Sequence, residues 1–229
     1  MDKSCYVTIM KSFSATAVIL IATSIILGQE FSIARVNYDG GGDWYCDPSS
    51  IPNILSYLTK NTSIKVDHNE YRIKLTTKEL RGHPYLYITG HGNIRFTDED
   101  IIQLREYLMG GGFLHTDDNY GLNTSFRREM KRVFPDRDFV ELPHDHAIFH
   151  SYFDMPSGLP KIHEHDGKPP QLFALYNEDR IMVIYSYESD LGDGWEDEEV
   201  HNNPSALRAA ALQLSLIHIS EPTRLLSIS

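Results

Sequence analysis

Short, nearly continuous apolar runs alternate with amphipathic ones along the middle of the chain, and the two kinds keep different periods. FSIARVNY (31–38), PYLYITG (84–90) and GFLHT (112–116) have the look of strands buried on both faces. Between the first two, Ile51, Ile54, Leu55 and Leu58 share one face at helical spacing, and Asp47 and Pro48 mark the helix start. Thr97 caps a second predicted helix with Asp98, Glu99 and Asp100 in its first turn. Its buried stripe is Ile101, Leu104 and Leu108, and Gly110–Gly112 end it. Phe126, Met130, Val133 and Phe134 predict a third helix. A short strand is expected at 64–66, a hairpin or neighbouring strands at 172–176 and 180–187, and a helix at 205–213. Buried strands alternating with helices predict an α/β fold, a mainly parallel sheet with helices on both faces.

In such sheets ligands bind outside the carboxyl ends of the strands. Three polar segments follow predicted strands directly: YDGGGDWY (38–45), GHGN (90–93) and HTDDNYG (115–121). They should gather along one sheet edge. The ligand-binding candidates are therefore Asp39, Gly40, Gly41, Gly42, Asp43, Trp44, Gly92, Asn93, His115, Asn119 and Tyr120. The catalytic candidates are Asp117, Asp118 and His91. An aspartate here could act as general acid or base, ligate a metal beside His91 or His115, or cap the following turn. Neighbours on an extended chain point to opposite faces, so Asp117 and Asp118 cannot both serve one ligand unless the chain turns. The three glycines would let backbone amides approach an anion, but the lysine and serine of a phosphate loop are missing. A tight turn carrying Asp43 and Trp44 over the edge is the simpler reading. Trp44 and Trp195 offer faces for a planar or sugar ligand, or pack in the core.

The histidines raise the question of metal. His144, Asp145, His146 and His150 form one cluster, and His163, Glu164, His165 and Asp166 another. Imidazole and carboxylate are the usual ligands of zinc and related ions. A divalent metal is thus the candidate cofactor, with His146, His163 and His165 as candidate ligands. Neither cluster has a known metal-site spacing, and histidines that bond loop backbone are commoner. SDLGDGWEDEEVH (189–201) is strongly acidic but lacks calcium-loop spacing, and reads as a solvated or lid-like loop.

Charge and the chain ends narrow the picture. A net charge of −11 and a pI near 5.4 leave no cationic excess for a nucleic-acid partner. At 229 residues and 41% hydrophobic, the chain suits one globular domain. Lys3 and Lys11 precede an uncharged stretch from Ser12 to Gly28, expected to be a signal peptide or an N-terminal anchor. That predicts an exported domain, periplasmic or extracellular, with membrane contact only if the segment stays uncleaved. Cleavage would leave Cys46 as the only cysteine and no intramolecular disulfide. LSLIHISEPTR (214–224) resembles a translated transposase adapter of sequencing libraries. The expected organisation is a leader at 1–28, one domain at 29–213, truncated at its C-terminus, and a non-native segment at 214–229.

Five stretches together carry a family resemblance: RVNYDGGGDWY, YLYITGHGNIRFTDEDIIQLREYLMGGGFLHTDDNYG, FRREMKRVFPDRDFVELPHDHAIFHSYF, GLPKIHEHDGKPPQ and YSYESDLGDGWEDEEVHNNP. Over roughly 31–213 the chain resembles the bacterial family called domain of unknown function 4159. That family is similar to the class I glutamine amidotransferase-like superfamily. The resemblance implies a flavodoxin-like three-layer sandwich and no particular activity. Amidotransferases carry a nucleophilic cysteine on a strand-to-helix turn, whereas the comparable strand end here has Thr116, Asp117 and Asp118. Family members often resemble partners of membrane-associated von Willebrand-type and ATPase modules. Two function classes follow. One is a non-catalytic domain binding a small molecule or an envelope protein partner; the other is a metal-assisted hydrolase using the Asp/His cluster at the sheet edge.

Overall fold

A computed structural model describes residues 30–226, with side chains through residue 219. The apolar segment expected to direct export lies outside the described residues. Among them, no helix is long and apolar enough to cross a membrane.

Seven strands form one sheet in the order β2-β1-β3-β4-β7-β6-β5. The strands are β1 (Ile33–Val36), β2 (Tyr71–Ile73), β3 (Tyr85–Ile88), β4 (Phe113–Asp117), β5 (Val140–Glu141), β6 (Gln171–Asn177) and β7 (Arg180–Tyr187). The helices are α1 (Ser50–Asn61), α2 (Asp98–Met109), α3 (Asn123–Val133), α4 (Leu191–Trp195), α5 (Glu198–His201) and α6 (Ser205–Leu226). Strands β2, β1, β3, β4 and β7 run parallel, while β6 and β5 continue the sheet antiparallel.

Side chains alternate across the strands, so each face has its own core. Ile33, Tyr85, Tyr87, Phe113 and Ile184 pack against α1, α4 and α6. Ala34, Val36, Leu86, Ile88, Leu114, Val183 and Tyr185 pack against α2 and α3. This is a three-layer sandwich of flavodoxin-like type. The capping box expected at α2 is present: Thr97 Oγ1 accepts from the Asp100 amide, and the Asp100 carboxylate accepts from the Thr97 amide.

One expectation changes. Residues 64–66 form no strand; Val66 makes only an isolated bridge to Phe31, and the edge strand is β2, further along. Edge strands are half-exposed and carry a weak apolar pattern, and YRI is buried only at Ile73. The helix expected at 205–213 is present as the first part of α6, which runs on into the adapter-like segment, where Leu214–Ile219 are buried. His218 is fully buried among them, neither ring nitrogen has a hydrogen-bond partner among the described residues, and desolvation pushes its pKa down to about 3.

The chain runs from β1 outward to β2, then back across β1 to β3. The crevice between the carboxyl ends of β1 and β3 is therefore the topological switch point.

Candidate functional site

Four loops meet over the carboxyl ends of the parallel strands. The β1 loop is tied to the β3 loop by backbone bonds from Gly42 N to Asn93 O (3.0 Å) and from Arg95 N to Asp39 O (2.7 Å). Gly92 N bonds Tyr120 O at 3.0 Å, which adds the β4 loop. The β7 loop, with α4 and α5 in it, closes the assembly from the other side.

Arg35, fully buried on β1, sets the base of the site. Its guanidinium donates to Glu70 Oε1 (2.6 Å), Cys46 O (2.7 Å) and Asp47 O (3.0 Å). Asp47 is thereby held at φ +53°, an uncommon conformation for aspartate, with its carboxylate turned inward. Asp47 Oδ2 accepts from Asn119 Nδ2 (2.9 Å) and Thr89 Oγ1 (3.2 Å).

Asp117 ends β4 on the face toward α1 and α6, and accepts from Ser186 Oγ and from Gly192 N (2.7 Å). Asp118 takes the opposite face, accepting from Leu122 N (2.9 Å) and Tyr185 Oη (2.8 Å). The two neighbours therefore part company across the sheet. Asp117 joins the cluster below, and Asp118 lines a separate cleft.

That cluster holds five carboxylates and three histidines. Asp193 Oδ2 lies 2.6 Å from His163 Nδ1, and its Oδ1 lies 3.1 Å from His201 Nε2. Glu196 Oε2 lies 2.9 Å from the same His201 nitrogen. Asp190 Oδ2 lies 3.2 Å from His165 Nε2 and 3.6 Å from His163 Nδ1. Asp190 Oδ1 is buried with no hydrogen-bond partner among the described residues. Donor atoms of His163, Asp193 and His201 all lie within 4.8 Å of one another, as do those of Asp47, Asp193 and Glu196.

The electrostatics follow from crowding and burial. Desolvation, then the charges of Asp190, Asp47 and Asp117, push the Asp193 carboxyl up to about 9. Burial and Asp190 hold Asp117 well above the carboxylate range. Burial likewise raises Asp47, partly offset by its bond from Asn119. Asp190 alone is lowered: burial opposes its charge, but His163 and His165 outweigh it. His163 and His165 are raised, chiefly by hydrogen bonding to Asp190. Asp193 is nearer to His163, but burial and its acidic neighbours raise its carboxyl, so Asp190, whose carboxyl is lowered, is what favours the imidazolium.

Gly192 shows how tightly the cluster is built. A side chain there would overlap Asp47 Oδ2 and stand 3.0 Å from its Cγ. Gly192→Ala is expected to lower stability by about 1–3 kcal/mol through overpacking, read as a shift of the urea midpoint. An unchanged midpoint would mean that Asp47 and α4 are not rigidly packed.

The residues singled out from sequence divide into groups. Asp117, Asn119, His163 and His165 belong to the cluster. Asp43 accepts from the His91 amide, and its Oδ2 lies 3.1 Å from His91 Nδ1. Asp39, Gly40 and Asn93 line a groove of about 870 Å³ whose Arg128 and Arg132 are paired with Glu129. Gly41 and Gly42 are in the same turn, and Trp44 packs edge-on to Tyr45. Asp118 and Tyr120 line a polar cleft of about 350 Å³ with His165, Lys168, Tyr187 and Glu188.

His115 lies inside β4, not at its end. It is fully buried between Tyr85 Oη (3.0 Å) and Ser186 Oγ (3.1 Å), and burial pushes its pKa well below the usual imidazole value. His146 caps a short turn through Ile148 N (3.2 Å) and reaches Tyr176 Oη, away from the cluster. Trp195 is fully buried and donates to Ala211 O (2.8 Å), so it is a core residue.

Asp47, Asp190, Asp193, Glu196 and His201 were not among the site candidates. Asp47 reads as a helix start in the sequence. The other four lie in the acidic 189–201 loop, which stands out in composition but reads as solvated. Nothing in its spacing shows that it folds inward.

Fold and site together define an α/β domain of flavodoxin-like architecture with a buried carboxylate–histidine cluster beside its switch point. The chain belongs to the family Domain of unknown function (DUF4159), whose model matches residues 32–216. No curated protein matches the chain in sequence.

Proposed function

We propose that this domain binds a divalent cation through His163, Asp193 and His201, with Asp47 and Glu196 completing the donor set, and that metal-assisted hydrolysis is the reaction this site serves. The carrying observation is a pair of overlapping donor triads, His163–Asp193–His201 and Asp47–Asp193–Glu196, that share Asp193. Ligands about 2.1 Å from a single ion stand roughly 3–3.5 Å apart, close to the 2.6–3.1 Å separations found around Asp193 and His201. A mixed nitrogen and oxygen set suits zinc, manganese or iron. The unpartnered Asp190 Oδ1 is a further buried acceptor facing the same charge problem. His163 and His201 are the more exposed members, at 33% and 25% of the side chain, which gives an entry path.

A bound cation would supply a Lewis acid and lower the pKa of a coordinated water. Asp190, whose carboxyl is lowered, stands beside it as a proton acceptor, and Asp117, whose carboxyl is raised, as a proton donor. The cleft bounded by Tyr120, His165, Lys168 and Tyr187 is the route for a polar substrate. In this reading the N-terminal segment exports the domain, and the ligand is a small molecule or a group on an envelope protein.

One observation favours simple binding without catalysis: the carboxylates of Asp117 and Glu196 already have protein donors at both oxygens or at short range. Metal content of the full chain decides the first question. The expected result is one equivalent of divalent metal in the parent, lost in Asp193→Asn and His201→Ala with the fold intact. No metal, or metal indifferent to both changes, would overturn the proposal. Hydrolysis of ester or amide probes by the metal-loaded parent then separates catalysis from binding.

A further inference from the structure

At the switch point itself, a second set of donors lies outside the cluster just described. Asp43 and Cys46 come from the β1 loop and His91 from the β3 loop. Donor atoms of all three lie within 4.8 Å of one another. We propose that Cys46 Sγ, the His91 imidazole and the Asp43 carboxylate form a separate site for a thiophilic transition-metal ion such as zinc.

Three features support it. The first is the donor chemistry: thiolate and imidazole together favour zinc and its neighbours over calcium or magnesium. Three protein ligands leave a fourth position for water or substrate, the arrangement of reactive rather than structural zinc sites. The exposed His91, half open to solvent, places that position on the surface.

The second is how the site is built. Gly90 sits at φ +139°, and a side chain there would overlap Tyr38 Oη and stand 3.0 Å from Asp43 Oδ1. Only glycine lets the β1 and β3 loops approach closely enough to bring Asp43 onto His91. The resulting Asp43–His91 contacts involve both the amide and the ring.

The third is the surround of Cys46. Asn119 Nδ2 lies 3.5 Å from its sulfur and donates to it, and Thr89 Oγ1 lies 3.8 Å away. Asn119 also donates to Asp47 Oδ2, so one amide supports both proposed sites.

The probe is cobalt(II) added to the full chain in a Cys5→Ser background, so that Cys46 is the only thiol. The expected result is a near-ultraviolet thiolate-to-cobalt charge-transfer band that saturates at one equivalent. Cys46→Ser should abolish the band. His91→Ala, at an exposed position that leaves the fold untouched, should weaken cobalt binding at this site at least about tenfold. Asp193→Asn should leave the band in place, which separates this site from the one proposed above. Absence of the band in the parent, or a band indifferent to both His91→Ala and Asp43→Asn, would overturn the proposal.

Discussion

Arg35→Met is expected to cost about 3–5 kcal/mol of stability, the scale for removing one partner of a buried charge pair. The Arg35 side chain is fully enclosed, whereas Glu70 retains 12% exposure. The guanidinium is also the donor for the carbonyls of Cys46 and Asp47 and for Ser50 Oγ (3.1 Å). Methionine fills much of the volume but supplies no donor, so the Cys46 carbonyl loses its partner, while Asp47 O keeps only its bonds from Ser50 and Glu70 only its pair with Arg72. The consequence reaches the site, because the Arg35 bond to the Asp47 carbonyl is one of those that hold Asp47 in its left-handed backbone. Urea unfolding of the parent, Arg35→Met, Glu70→Gln and the double variant measures both the loss and the coupling. A loss below about 1 kcal/mol, typical of a surface pair, would mean that the loop is held by something else.

The stability of the metal-free protein is expected to fall as pH rises from about 5 to about 9, opposite to the usual behaviour of paired carboxylates. Asp193 is raised to about 9, and Asp117 and Asp47 are raised with it. An unfolded aspartate titrates near 3.9. Between those limits the native state holds more protons than the unfolded chain, so stability declines with pH. His163 and His165 act in the same direction. Their raised values contribute stability below about 6.5, the unfolded imidazole value, and it is lost as pH passes the folded value. Asp190 acts oppositely: its lowered value contributes stability above the unfolded carboxylate range, lost as pH falls through the folded value. A divalent cation would replace the protons as the neutralising charge, so saturating metal should flatten the decline or reverse it. Urea midpoints at about pH 5, 7 and 9, with chelator and with metal, test this. Asp193→Asn should remove much of the slope. A flat profile in chelator, unaltered by metal, would show that the cluster is not electrostatically strained.

The periodicity of the chain already determines most of the architecture. Helices α1, α2 and α3 and strands β1, β3, β4, β6 and β7 are written in local pattern, because a residue facing a core must be apolar whatever packs on it. The position of the polar segments at strand ends follows from the parallel sheet, since successive parallel strands put their carboxyl ends on one edge. Three things depended on the folded chain. Edge strand β2 is too short and too exposed to leave an apolar signature. His115 reads like its neighbours in HTDD, yet one residue decides whether a side chain sits under the sheet or over its end, and that register is set by pairing with β3 and β7. The cluster itself joins Asp47, His163, and the Asp193–His201 pair from three loops with no common spacing. Local pattern records which way a segment faces, not which distant loop it meets. The acidic 189–201 stretch turns inward because Gly192 lets α4 lie against Asp47, and because His163 and His165 from another loop are there to receive its charge.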